Sequence, residues 1–200
     1  MKQILLFFSL MTIVLNLSAQ TIEINTVTEE GHHIIASSYV YSGFPGIFVS
    51  LAAAKTDING NDTILYQLQI RYGNPNRTSI DKGKRLLLKL SDSTVVTLKN
   101  ESAIDLLDNK REVTTTYSVY FVFPKYELSH QELQKLMDLE VCKIRLEHNT
   151  DVYTVAEDKK EYKNKVKKSF HKNEFSTILR SAYAQIQDAL FEKKDIYSDF

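Results

Sequence analysis

The chain has 200 residues, with 25 Lys and Arg balanced by 25 Asp and Glu, one cysteine and no tryptophan. That balance argues against a nucleic-acid partner, since such proteins carry a basic excess that neutralises phosphates. The single Cys142 excludes an internal disulfide, so the fold must rest on packing and hydrogen bonds.

The first residues follow the order of an export signal: Lys2, an apolar run from Ile4 to Leu17, then Leu17-Ser18-Ala19-Gln20. The run is short of the roughly 20 apolar residues that a membrane-crossing helix needs. We therefore expect residues 1–19 to be a signal peptide, with a mature N-terminus at Gln20 or Thr21. Cleavage removes Lys2 and leaves a net charge near −1. Residues 20–200 are expected to form a single α+β domain, exported to the periplasm or the extracellular space. No later stretch is long and apolar enough to span a membrane as a helix.

Period-two alternation marks the strands. Residues 21–27 and 33–41 read as the first two, followed by a breaker cluster, Ser42-Gly43-Phe44-Pro45-Gly46. Residues 47–55 and 63–72 read as a hairpin around Asn59-Gly60, the strongest short turn dipeptide. In its second arm Ile64, Tyr66, Leu68, Ile70 and Tyr72 share one face and Gln67, Gln69 and Arg71 the other; only Leu65 is out of phase. A second hairpin is expected from residues 85–90 and 94–99 around Ser91-Asp92-Ser93, with a helical turn near residues 103–107. Residues 111–123 read as one long strand that Pro124 ends.

Ser129-His130-Gln131-Glu132 has the form of a helix capping box, which predicts a short helix over residues 130–138 with Leu133, Leu136 and Met137 inward. Strands are expected over 141–148 and 152–155, around a turn at Asn149-Thr150-Asp151. In the first, Cys142 alternates with Ile144 and Leu146, a pattern that buries its thiol. Residues 157–172 hold seven lysines interleaved with acids and read as a solvated helix. After a bend at residues 171–173, the stripe Phe175, Ile178, Leu179, Ala182, Ile186, Ala189 and Leu190 predicts an amphipathic helix. The expected fold is thus α+β: a mainly antiparallel sheet of about eight strands, one short capped helix, and amphipathic C-terminal helices packed on the sheet.

Catalytic signatures are missing. His130-Gln131-Glu132 lacks the second histidine of a zinc-protease helix, and one cysteine cannot complete a deaminase site. Cys142 and His148 lie six residues apart, about 20 Å along a strand, too far for a nucleophile and its base. His32 and His33 point to opposite faces of a strand. No metal ligand set and no cofactor is expected. The reading that follows is a non-enzymatic binding module with a protein or glycan partner. Its competitor is a carboxylate-based hydrolase of glycans or peptides, which leaves no sequence motif. Tyr39, Tyr41 and Phe44, beside the glycine loop, are the candidate binding residues, as aromatics on a loop can anchor a partner.

Lys84-Arg85-Leu86-Leu87-Leu88-Lys89-Leu90 with its return Val95-Val96-Thr97-Leu98, the segment Tyr126-Glu127-Leu128-Ser129, and Ile144-Arg145-Leu146 together resemble uncharacterised exported proteins of Bacteroidota-type bacteria. The Leu17-Ser18-Ala19-Gln20 ending is similar to the signal peptides of that group. The resemblance implies location and fold and brings no activity. It also implies that Asp62-Thr63-Ile64 and Asp92-Ser93-Thr94 resemble O-glycosylation sites.

Overall fold

The computed structural model describes residues 20–58, 61–113, 118–150, 157–163 and 174–191. The expected signal peptide, the Asn59-Gly60 turn, Tyr117 and the expected strand at 152–155 lie outside the described residues.

Among the described residues, thirteen strands build two antiparallel sheets. They are β1 (Ile22–Val27), β2 (His33–Ser37), β3 (Val40–Tyr41), β4 (Ile47–Ile58), β5 (Asn61–Asn74), β6 (Thr78–Ser79), β7 (Arg85–Leu90), β8 (Val95–Lys99), β9 (Lys110–Val113), β10 (Ser118–Val122), β11 (Lys125–Leu128), β12 (Val141–Thr150) and β13 (Glu157–Lys163). The helices are α1 (His130–Asp138) and α2 (Phe175–Phe191), with a short 3-10 turn at Leu106–Asp108. The large sheet runs β1-β2-β4-β5-β10-β9, with β3 also on β4 and β11 also on β5. The small sheet runs β13-β12-β7-β8, with β6 on β12. The described residues are therefore mainly antiparallel sheet with two α-helices.

The β4–β5 hairpin is the backbone of the fold. Its register pairs Ile47 with Tyr72, Val49 with Ile70, Leu51 with Leu68 and Ala53 with Tyr66. All eight are buried, and Leu51, Leu68 and Val49 are fully so. Burying a side chain of this size stabilises by roughly 1.5–3 kcal/mol, so period-two patterning alone fixes the face and register of this ribbon. One contiguous core joins these residues to Leu86, Leu88, Ile144 and Leu146 of the small sheet and to both helices. Helix α2 supplies Ile178, Leu179, Ala182 and Ile186 to it. Its Gln187 donates to Tyr66 Oη at 2.7 Å, while Ser176 Oγ and Arg180 Nη1 donate to the Leu139 and Met137 carbonyls at 2.6 and 2.7 Å. Those carbonyls lie at the end of α1, where helical partners run out. At the start of α1, Ser129 Oγ accepts from Glu132 N at 3.2 Å and Glu132 accepts from Ser129 N at 2.9 Å.

Several expectations are corrected. The lysine-rich stretch at 157–163 is strand β13 and not helix; residues 164–173 lie outside the described residues, so α2 is the one described C-terminal helix. Pairing with β12 over seven register positions overrides a helical composition whose apolar stripe, Tyr162, Val166 and Phe170, was too narrow to bury a face. The single strand expected over 111–123 is two, β9 and β10, which fold back on each other with Ser118 opposite Val113. The expected turn at Asn149-Thr150 is strand, because both residues pair with β6. The strand expected at 33–41 breaks at Ser38-Tyr39, though both pieces lie along β4. These splits, and short strands such as β3, β6 and β11 that carry too few residues to show a period, raise the count above about eight.

Cys142 is exposed, not buried. The register between β12 and β7 shifts between Val141 and Lys143. That bulge inserts one residue, so the parity that aligns Cys142 with Ile144 in the sequence fails in space.

Candidate functional site

The outward face of the large sheet carries a groove of about 420 Å³. Register explains its composition. One row crosses five strands as Ile24, Ala36, Ala52, Gln67 and Glu127. The row on one side of it holds Ile34, Ala54 and Leu65, and the row on the other holds Ser50, Gln69 and Lys125. Alanines at the centre make a low floor with no side chain to fill it. Ile24, Ile34 and Leu65 form an apolar rim at one end, where Ile24 is 47% and Leu65 50% exposed. Gln67, Gln69, Glu101, Lys125 and Glu127 form a polar rim at the other.

The polar rim is ordered by its own hydrogen bonds. Gln67 Nε2 donates to both carboxylate oxygens of Glu101, at 2.9 and 2.8 Å. Gln69 Nε2 donates to Gln67 Oε1 at 2.9 Å, and Tyr39 Oη donates to Gln69 Oε1 at 3.2 Å. Each side-chain amide has two donors and an acceptor with two lone pairs, so this chain fixes the orientation of Gln67 and Gln69 and leaves capacity for a ligand. Burial pushes the Tyr39 hydroxyl up to about 12, helped by the negative charge of Glu23 and opposed by Arg71. Tyr39 therefore stays protonated and serves as a donor.

Beside this end lies an aromatic strip. Tyr39 packs edge-on against Phe123 with ring centres 5.8 Å apart; Tyr41 meets Phe48 at 5.6 Å, and Phe48 meets Phe121 at 6.5 Å. The Arg71 guanidinium sits 4.0 Å from the Phe121 ring centre and 5.2 Å from that of Phe48, and its Nη2 meets Glu112 at 2.6 Å. Gly73 makes room for this strip: a Cβ there would lie 2.7 Å from Phe121 Cε1.

Of the three candidate binding residues, Tyr39 touches the groove through Gln69, and Tyr41, 44% exposed, belongs to the aromatic strip. Phe44 does not join an exposed patch; it is 1% exposed and part of the core. The glycine loop turns it inward: Ser42 Oγ donates to Ile47 O at 2.7 Å, and Gly46 adopts φ +71° against the backbone of Gly73. Composition marked the loop but not the direction of its aromatic. The groove residues Gln67, Glu101, Lys125 and Glu127 were missed. Two signals pointed there: Leu65, the one break in the alternation of β5, and the run Ala52-Ala53-Ala54, whose outward alanines leave the floor empty.

The histidines have local roles. His32 Nε2 lies 3.3 Å from Glu30 Oε2, and His33 Nε2 lies 2.7 Å from Asn25 Oδ1. His148 is fully buried with Nε2 3.4 Å from Tyr72 Oη, while Cys142 is exposed on the same strand. Among the described residues no group of three His, Cys, Asp or Glu side chains is placed to hold a metal. No described helix is long and apolar enough to cross a membrane. Asp92 accepts from Thr94 Oγ1 and Thr94 N, bonds that hold its carboxyl below the usual range, and the following Ser93 is exposed at φ 73°.

Searches against protein-family models, curated proteins and solved structures returned no match.

Proposed function

We propose that this protein is a non-enzymatic binding module that works outside the cytoplasm and takes a glycan in the groove of the large sheet. The observation that carries the reading is the pre-ordered array Tyr39–Gln69–Gln67–Glu101 beside an alanine floor. Two amides and a carboxylate fixed by their mutual hydrogen bonds match the paired donor and acceptor character of vicinal hydroxyls. The small floor and the apolar rim of Ile24, Ile34 and Leu65 receive the carbon face of a sugar ring. An extended peptide would instead favour an open sheet edge, where its backbone finds ladder partners.

The hydrolase reading draws on one fact: Glu101 and Glu127 line the same groove. Both are exposed, and Glu101 already accepts two bonds from Gln67. A general acid needs an environment that keeps it protonated, and desolvation is the usual means. Screening the protein against a glycan panel, for binding and for turnover, tests the assignment. Retained glycan without hydrolysis supports a binding module. Turnover lost in both Glu101→Gln and Glu127→Gln would replace it with the hydrolase, and a peptide ligand would displace the glycan.

The location outside the cytoplasm rests on the charge–apolar–Ala19 order of residues 1–19. Gln20 adds a structural reason for cutting after Ala19: it is buried, and its Nε2 donates to Ser37 Oγ at 2.9 Å. N-terminal sequencing from the native host should read Gln20 or Thr21; an intact Met1 in the membrane fraction would overturn the location.

A further inference from the structure

The two ends of the groove's polar rim differ in hydrogen-bonding sense. Lys125 stands directly opposite Gln69, and Glu127, the next residue of β11 on the same face, stands opposite Gln67. At the Gln69 end the groups donate. Lys125 offers an ammonium, which has no acceptor, and Gln69 Nε2 spends one N–H on Gln67 Oε1 and keeps the other. Tyr39 Oη donates to Gln69 Oε1 at 3.2 Å, so this amide cannot flip without losing both bonds. At the Gln67 end the groups accept. Glu101 takes Gln67 Nε2 on both oxygens and has lone pairs to spare, and Glu127 is an exposed carboxylate.

Lys125 has a fixed backbone and an uncommitted charge. Its N–H donates to Asn100 Oδ1 at 3.3 Å, and its carbonyl accepts from Glu101 N at 3.0 Å. Among the described residues its ammonium makes no ion pair, although Glu127 shares its face and Glu101 lies beside it. Among the described residues that line the groove, Lys125 is also the one cation. From Lys125 to Glu127 the strand advances about 7 Å, a spacing on the scale of a single pyranose ring.

Building on the groove as a glycan site, we propose that the sugar it takes is a uronic acid, a pyranose that carries one carboxylate. Lys125 and the remaining N–H of Gln69 hold that carboxylate, and such charge-assisted bonds are about twice as strong as neutral ones. Glu101 and Glu127 accept from the ring hydroxyls at the other end. The alanine floor, with Ile24 and Ile34, receives the ring carbons. One uncommitted cation matches one negative charge on the ligand. The two carboxylates at the accepting end repel a second anionic group, so a sugar that also bears a sulfate is disfavoured.

The test is calorimetric titration of the whole mature protein with trisaccharides of galacturonic, glucuronic and mannuronic acid, with their methyl esters, and with acetate. The esters keep the shape of the acids and lose the charge. At least one acid should bind about tenfold more tightly than its ester, the worth of one charge-assisted bond, and should weaken as salt rises. Lys125→Gln should bring that acid down to the level of its ester, and Lys125→Arg should retain the preference. Lys125 is exposed, so its variants should melt with the wild type. Esters or neutral glycans that bind as tightly as the acids, or a preference that survives Lys125→Gln, overturn the uronate and leave the groove a glycan site. Acetate binding as tightly as the acid makes this a free-carboxylate site and overturns it as well. If no acid, ester or neutral glycan binds, the glycan reading itself falls and the uronate falls with it.

Discussion

Gln67 and Glu101, 34 residues apart in sequence, are joined by two hydrogen bonds of 2.9 and 2.8 Å that run from one amide nitrogen to both oxygens of one carboxylate. The bond crosses from strand β5 to the segment after β8, and it makes the polar rim of the groove a fixed array instead of two mobile side chains. If the array is a binding surface, Gln67→Ala and Glu101→Ala should each weaken glycan binding. Because they form one network, the double variant should lose less than the sum, by at least about 0.5 kcal/mol. Both positions are outside the core, so stability should shift by no more than about 0.5–1 kcal/mol. A double-mutant cycle on affinity and melting measures both; strict additivity in binding would separate the two residues.

Phe44 and Tyr41 should behave differently, although they sit three residues apart. Phe44→Ala empties a core position and should cost about 3–5 kcal/mol. Tyr41→Ser gives up one edge-on contact with Phe48 and should cost no more than about 1.5 kcal/mol. Urea unfolding of the two variants checks this; equal losses would mean that the loop packs otherwise.

Helix α2 is expected to be a structural cover. Ile186 is fully buried against the large sheet, so Ile186→Ala should cost about 2–5 kcal/mol. A loss below about 0.5 kcal/mol, the level of surface sites, would make the helix peripheral.

Alkali should destabilise the fold through its tyrosines. Burial pushes Tyr39 and Tyr66 up to about 12, from an ordinary value of 10, with Tyr183 adding to the effect at Tyr66. Buried Tyr126 is raised further by desolvation alone. Between pH 10 and 12 the native state therefore holds more protons than the unfolded chain, and stability falls as pH rises. Their contribution is complete below pH 10 and lost through the folded values. Melting temperature followed across this range should drop, and Tyr39→Phe should make the drop shallower. A flat profile would place the hydroxyls in water.

What the residues decide locally was legible from the sequence. Alternation from Ile64 to Tyr72, broken only at Leu65, sets the inner face of β5, because a half-buried strand admits no other phase. The spacing of Ile178, Leu179, Ala182 and Ile186 sets the buried face of α2, and Ser129 with Glu132 marks where α1 starts. The rest depends on partners that one strand cannot see. Residues 157–163 become a strand because β12 offers a ladder edge, Cys142 turns outward because β7 forces a bulge, and Phe44 turns inward because Gly46 meets Gly73 across two strands. The groove has the same origin. Ala52, Gln67 and Glu127 look unremarkable along the chain and become a site only when three strands set them side by side. Lys89 and Lys143, 54 positions apart, stand side by side because the β7–β12 register fixes them opposite each other.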